Sequence, residues 1–223
     1  MARLARSSAP SRAPLSKERV LLAAIELADD GGIEAVTMRK LAQELGVEAM
    51  SVYYYVTNKD DILDGIIDIV VGEIATPPTG IGWRAAIRAS AISAHQILMC
   101  HPWACSLMMM PARVRPARVH YMEALLGCLR GAGFSPWVTL HAYHALDSHI
   151  LGSTLWEIGY TSGAQSVGDL ATTFLEELRL GEHPFLAEHI TQHLEGSSHP
   201  DRSDFEFGLD LLLDGLERTL AAG

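Results

Sequence analysis

The stretch from Met38 to Thr57 constrains this chain more than any other part of it. Thr37 stands where a hydroxyl caps a helix, and Met38 to Leu45 carries Leu41, Ala42 and Leu45 at helical spacing. Gly46 ends that helix in the left-handed conformation that glycine adopts without steric cost. A second short helix, Glu48 to Tyr54, comes at once and turns Val52 inward. Two short helices crossing at so tight a turn need a small residue where they touch, a glycine at the turn and an apolar lock on the second helix. Ala42, Gly46 and Val52 meet those needs. Leu41, Leu45 and Val47 supply the surrounding core, which leaves Ala49, Met50, Ser51, Tyr53 and Tyr54 to project outward. The pattern is that of a helix-turn-helix, whose second helix enters the major groove of DNA. An ordinary helical hairpin is the plainer reading of the same spacing.

The flanks read as helices too. Ser16 caps an apolar stripe of Val20, Leu21, Ala24, Ile25 and Ala28, which Gly31-Gly32 stops. Thr57 and Asn58 precede the acids Asp60 and Asp61, and Ile62, Leu63, Ile66, Ile67, Val70 and Ile74 carry a helix to Ala75. Thr76 to Gly82, with Pro77-Pro78 and two glycines, is a break between this head and the rest of the chain. Beyond it the periodicity predicts helices at Trp83–Cys100, Trp103–Met110, Pro116–Arg130, Pro136–Tyr160, Leu170–Leu180 and Phe185–Leu194. A last one, capped by Asp201 or Ser203, carries Phe205, Leu209, Leu212, Leu216 and Leu220. No strand pattern or internal repeat emerges. The expectation is an all-α chain: an arm at 1–15, a helix-turn-helix domain at 16–60, a connecting helix at 61–75 and a larger helical domain at 76–223.

The formal net charge of −10 looks unsuited to DNA, because phosphate binding needs a cationic surface. Its distribution reverses that impression. Residues 1–59 carry eight Lys or Arg against seven Asp or Glu, and residues 60–223 carry nine against twenty. All three lysines, Lys17, Lys40 and Lys59, lie in the head, a sensible layout for binding DNA. No signal-like or membrane-spanning apolar run is present, so a soluble, cytoplasmic protein is expected. Cys100, Cys105 and Cys128, an odd and sparse set, fit reduced core thiols.

The segment TMRKLAQELGVEAMSVYYYVTNKDDIL resembles the DNA-binding signature of the TetR family of transcriptional regulators. GFSPWVTLHAYHALDSHILG and FEFGLDLLLDGLE resemble the C-terminal domain of its tetracycline-repressor branch. The resemblance implies a three-helix head joined by a connecting helix to a domain that dimerises and holds an inducer, with repression relieved by that inducer. It implies that Ala49, Met50, Ser51 and Tyr53 face bases and nearby backbone, and that Tyr54 and Lys59 meet phosphates. Arg39 matches a base-reading arginine suited to guanine, and a solvated surface charge is its other reading. Thr37 and Lys40 add phosphate contacts. Arg3, Arg6 and Arg12 form either an arm on the duplex or a tail without function. A dimer would set its recognition helices about 34–36 Å apart on a palindromic operator.

Trp83 to Trp156 is rich in Met, His and Trp, and adaptable thioethers with a few polar groups can orient a ligand. An inducer pocket is expected among His95, Met99, Trp103, Met109, His141, His144 and Trp156, each of which is otherwise ordinary core. Tetracycline repressors hold a magnesium chelate through a histidine in the turn matching Met108–Met110. This chain has none there, so no cofactor is expected and a largely apolar or aromatic small molecule is the expected inducer. Ala145, Ser148 and Gly152 follow one stripe of the long helix. Gly208, Leu212 and Gly215 mark the last helix, and the two together read as a four-helix dimer interface, with packing inside one chain as the plainer reading. Two alternatives stand beside the regulator: a metal-binding enzyme using His141, His144 and Asp147, or His189 with His193, and a partner-binding helical adaptor. Against the enzyme, no His-Glu-x-x-His, phosphate loop or nucleophile elbow is present, so neither a catalytic residue nor a metal site is assigned.

Overall fold

A computed structural model describes residues 14–110, 115–161, 182–194 and 203–222. The arm with Arg3, Arg6 and Arg12, and the helix expected at 170–180, lie outside the described residues. Among the described residues the chain is all-α, with ten helices, one short 3₁₀ turn and no strand. It divides into two compact units, residues 1–66 and 67–223, and the division falls inside the connecting helix.

In the first unit, α1 (Lys17–Gly31) starts at Ser16, whose Oγ accepts the N–H of Arg19 at 3.2 Å. A 3₁₀ turn at Ile33–Ala35 leads to α2 (Met38–Leu45) and α3 (Ala49–Tyr53), and α4 spans Lys59–Gly72. Thr37 Oγ1 accepts the N–H of Lys40 at 3.2 Å, closing the start of α2. Gly46, at φ 65° and ψ 39°, closes its end by returning its N–H to the carbonyls of Ala42 and Gln43. Ala42 and Val52 are buried with Val20, Ala24, Leu41, Leu45, Val56 and Ile62 in one small core. The start of α4 is tied down by Asp61. Its N–H donates to Asn58 Oδ1 at 2.9 Å, and its carboxylate accepts from the Thr57 N–H at 3.0 Å and from Lys17 Nζ at 3.1 Å.

The second unit is built around α8 (Pro136–Thr161), against which α5 (Trp83–Cys100), α6 (Pro102–Met108), α7 (Pro116–Gly131) and α10 (Asp204–Ala222) pack. A short α9 spans Pro184–Leu194. Proline opens α6 and α7 at their first turns, where a missing N–H costs nothing. Ser135 caps α8 by accepting the Val138 N–H at 3.3 Å, and Ser203 caps α10 by accepting the Glu206 N–H at 3.2 Å. Ile87, Leu98, Leu129, Phe134, Leu146, Phe205, Leu209 and Leu213 form the core.

Several bounds differ from the sequence reading, and α6, expected to reach Met110, ends at Met108. The second helix of the helix-turn-helix is shorter at each end, with Glu48 as its N-cap and Tyr54 as its C-cap. The connecting helix stops at Gly72 rather than Ala75. Glu73 and Ile74 tighten onto the carbonyls of Val70 and Val71, and α5 then captures the backbone of Ala75. Ser90 Oγ donates to its carbonyl at 2.7 Å, and its N–H donates to Ser93 Oγ at 3.0 Å. Side chains on α5 replace the helical partners that Ala75 was expected to have.

Candidate functional site

The head presents its expected residues unevenly. Ala49, Met50, Tyr53 and Tyr54 are exposed, Met50 to 68% and Tyr54 to 87%. Ser51 is half-buried. Arg39 and Lys40 are exposed on α2. Thr37 is exposed, and its oxygen is engaged in the cap, so what it offers a phosphate is its hydroxyl proton. Lys59, read as a phosphate contact, pairs with Glu34 at 3.4 Å. Glu34 is exposed, and such a pair exchanges readily for another anion. Tyr55 is half-buried. Asp61, which the sequence shows as a first-turn acid behind the cap candidates Thr57 and Asn58, also orders the junction before Lys59 through its carboxylate.

In the second unit a cavity of about 510 Å³ opens between α6, α7 and α8. Met108, Met109, Met122, Leu151 and Leu155 give it apolar walls, and Arg118, Tyr143, His144 and Asp147 give it a polar side. Arg118 donates to the Met108 carbonyl, and its Nη2 lies 3.7 Å from Asp147 Oδ2. Burial raises the Asp147 carboxyl above its usual range, against the pull of Arg118 and His144. Burial, aided by the charge of Asp147, also raises the Tyr143 phenol, which stays protonated.

Of the seven expected ligand residues, Met109 and His144 line this cavity and the other five do not. His95 belongs to a stack on α10, its ring 4.0 Å from that of Phe205, with Nδ1 2.9 Å from Thr154 Oγ1 and Nε2 3.2 Å from Glu157. Met99 is half-buried on α5 and Trp103 is buried in α6. His141 is exposed against Trp137 at 4.3 Å, and Trp156 is exposed. Arg118, Met122, Tyr143 and Asp147 are the cavity residues that a search for Met, His and Trp passed over in part. A charged pair one helix apart leaves no periodic trace in a sequence.

His141, His144 and Asp147 do not converge, because His141 turns to Trp137 while Asp147 pairs with Arg118. Among the described residues no three His, Cys, Asp or Glu side chains gather for a metal ion, and the side chain of His193 lies outside them. The turn at Met108–Met110 offers thioethers, which do not suit a hard magnesium ion, so a magnesium chelate does not fit there. All three cysteines are free thiols, and burial raises that of Cys105 to about 11, which keeps it protonated and unreactive.

On the expected dimer faces, Ala145, Ser148 and Gly152 are exposed along α8, and Ser148 and Gly152 also border the cavity. Leu212 and Gly215 are half-buried on α10. Gly208 is a correction: a Cβ there would lie 2.5 Å from His149 Cε1, so its smallness serves packing within the chain. The exposed apolar side chains of α10 are instead Phe207 and Leu211.

Comparison with known proteins decides the family. Residues 20–66 match the family described as "Bacterial regulatory proteins, tetR family", and residues 76–220 match "Tetracyclin repressor-like, C-terminal domain". The chain belongs to the TetR family. This TetR-family regulator is 31% identical to the HTH-type transcriptional repressor DrrR1 of Streptomyces coeruleorubidus, over 95% of this chain and 82% of that protein. It is also 31% identical to an HTH-type transcriptional regulator of Saccharopolyspora erythraea, over 92% of this chain and 86% of that one. Its fold matches that of ActR from Streptomyces coelicolor, solved in complex with actinorhodin, at a TM-score of 0.77 and 25% identity, over 93% and 98% of the two chains. The α2–Gly46–α3 unit is therefore the helix-turn-helix of a DNA-binding transcription regulator. No described helix is long and apolar enough to cross a membrane.

Proposed function

We propose that this regulator acts as a homodimer that represses from a two-fold operator in the cytoplasm and leaves it when a small, largely apolar molecule fills the α6–α7–α8 cavity. The observation that carries the reading is the pairing of a rigid Gly46 turn with a bare α3 face. The turn fixes the helix, and Met50, Tyr53 and Tyr54 stand exposed on it. Arg39 and Tyr53 read bases, while Thr37, Lys40, Tyr54 and Lys59 hold phosphates, with Ala49, Met50 and Ser51 against the groove wall. Repression accords with the names of related regulators such as DrrR1, and ligand response with the actinorhodin complex of ActR.

Dimerisation uses stripes of α8 and α10, which carry exposed Ala145, Ser148 and Gly152 on one and exposed Phe207 and Leu211 with half-buried Gly215 on the other. Operator and ligand then oppose each other reciprocally, each weakening the other's binding by the same factor. No enzymatic step is part of the proposal. Recovery of genomic fragments bound by the purified protein, followed by sequencing, tests it. An enriched inverted repeat is expected, and enrichment of none overturns the repressor reading, in favour of a helical adaptor.

A further inference from the structure

The helix α7 begins without a cap of its own. Arg115 stands at its N-cap position and gives it no side-chain hydrogen bond, since a guanidinium carries donors only. Pro116, at the first helical position, has no N–H. The first donor of α7 is therefore the Ala117 N–H, which, like the other amides of a first turn, has no partner inside its helix. Its partner comes from the connecting helix, 49 residues back: Asp68 Oδ1 accepts it at 2.8 Å. A carboxylate at a helix N-terminus also meets the positive end of the helix dipole. The two helices touch here, because a Cβ on Gly72, one turn beyond Asp68, would stand 3.8 Å from Ala117 Cβ.

Arg118, the next residue, belongs to the cavity wall. It donates to the Met108 carbonyl at the end of α6, hydrogen-bonds Tyr143 and faces Asp147, both on α8. One turn of α7 thus joins α4 to α6 and α8. Ile67, Val70, Val71 and Ile74 are buried along α4, but apolar burial has no direction, whereas a hydrogen bond fixes a distance and an angle. From this joint α4 runs back to Lys59 in the first unit.

Resting on the two-fold operator reading above, we infer that Asp68 is a positioning residue for operator binding: its cap on α7 sets how the last turns of the connecting helix are held, and so the spacing at which a dimer presents its two heads. Heads held at groove spacing before binding lose less freedom on the operator than heads that pivot. By reciprocity, operator DNA tightens the Asp68–Ala117 bond by the factor by which that bond tightens operator binding.

Gel shifts with the inverted repeat recovered from genomic DNA, and with the same repeat lengthened by one base pair between its half-sites, test the inference. Asp68→Ala should bind the native repeat about fivefold more weakly than the wild type does, as the loss of one cap implies. On the lengthened repeat the wild type has to strain or break the cap, so the two proteins should bind it alike. Asp68→Asn, which keeps an oxygen acceptor in the same place, should recover most of the native affinity. A merely destabilised protein would lose equally on both repeats. Hydrogen exchange of the wild type needs no variant to fold: the Ala117 amide should exchange about fivefold more slowly with the operator bound. Equal losses on both repeats, no loss on either, an Asp68→Asn protein as weak as Asp68→Ala, or an Ala117 amide indifferent to the operator overturns the inference and leaves the operator reading standing. If no inverted repeat is recovered, the operator reading fails and the inference falls with it.

Discussion

The imidazole of His95 lies flat on the ring of Phe205, with centroids 4.0 Å apart and planes 7° from parallel, and the ring of His149 also stacks on Phe205, 5.1 Å away and 18° from parallel. Three helices, α5, α8 and α10, meet in this stack. Thr154 gives its own proton to the Ile150 carbonyl at 2.6 Å, so its oxygen accepts from His95 Nδ1, and neutral His95 carries its proton there. The contact of Nε2 with Glu157 becomes an ion pair only when His95 is protonated. Burial pulls the His95 pKa below its ordinary 6.5, Glu157 pushes it back up, and His149 adds a smaller pull down.

A base whose pKa is lower folded than unfolded takes up protons more readily when unfolded, so stability rises with pH through that window. Urea denaturation should therefore show the wild type losing stability as the pH falls below 6.5. His95→Gln should flatten that loss. Glu157→Gln, which removes the upward push, should enlarge it. A wild type and a His95→Gln variant with parallel profiles would refute this account.

Arg84 and Arg88, one turn apart on α5, each reach two acids on α10. Arg84 meets Asp214 at 2.6 Å and Glu217 at 3.4 Å, and Arg88 meets Glu206 at 2.6 Å and Asp210 at 3.0 Å. The hydrogen bonds of Asp210 and then Glu206 raise the Arg88 pKa above its usual value. These groups are partly solvated, so each pair is worth little and only the ladder counts. Arg88→Met should cost about 1 kcal/mol at low ionic strength and less at high salt. An equal cost at both salt concentrations would point to lost packing instead.

How far the sequence could be read depended on the range of the forces involved. Gly46, Thr37, Ser16 and Ser203 act within one turn of chain, and each does in the structure what its local pattern predicts. The end of α4 was missed because Ser90 and Ser93, a helix away, take the backbone of Ala75. The cavity was missed for a related reason. Richness in Met, His and Trp identified Met109 and His144, but Arg118 and Asp147 lie 29 positions apart and only the packing of α7 on α8 joins them. Gly208 shows the opposite error, since a small residue on an outward-looking stripe is small because His149 fills the space beside it.

On the DNA face, Arg39 carries the sharpest expectation, because Ala49 and Met50 offer bases no hydrogen bond. Arg39→Ala should weaken operator binding by about 1–3 kcal/mol and relax preference at one base pair in each half-site. Lys59→Ala should weaken binding to every sequence alike and lower the salt slope by about one for each phosphate that Lys59 neutralises. Gel shifts across a salt series on the selected operator distinguish the two. An Arg39→Ala protein with full affinity and unchanged preference would remove Arg39 from the reading face.

Phe207 and Leu211 stand one turn apart on α10, exposed to 58% and 56%, and Gly215 sits a turn later with nothing nearer its missing Cβ than Arg218 at 4.0 Å. Single exposed apolar residues are ordinary, but a stripe matched by Leu140, Ser148, Gly152 and Leu155 on α8 is what a self-complementary interface needs. In a two-fold dimer each residue counts twice. Leu211→Asp loses the burial of two leucines, about 1.5–3 kcal/mol each, and should raise the dimer dissociation constant about a hundredfold or more. Sedimentation at a series of concentrations should show the variant as monomer where the wild type is dimer. Its operator binding should fall as well, yet return when the protein concentration is raised, because the reading face is intact. Arg39→Ala should show the reverse, a dimer whose weak operator binding no concentration restores to wild-type specificity. If Leu211→Asp sediments with the wild type throughout, the α10 stripe is not the interface.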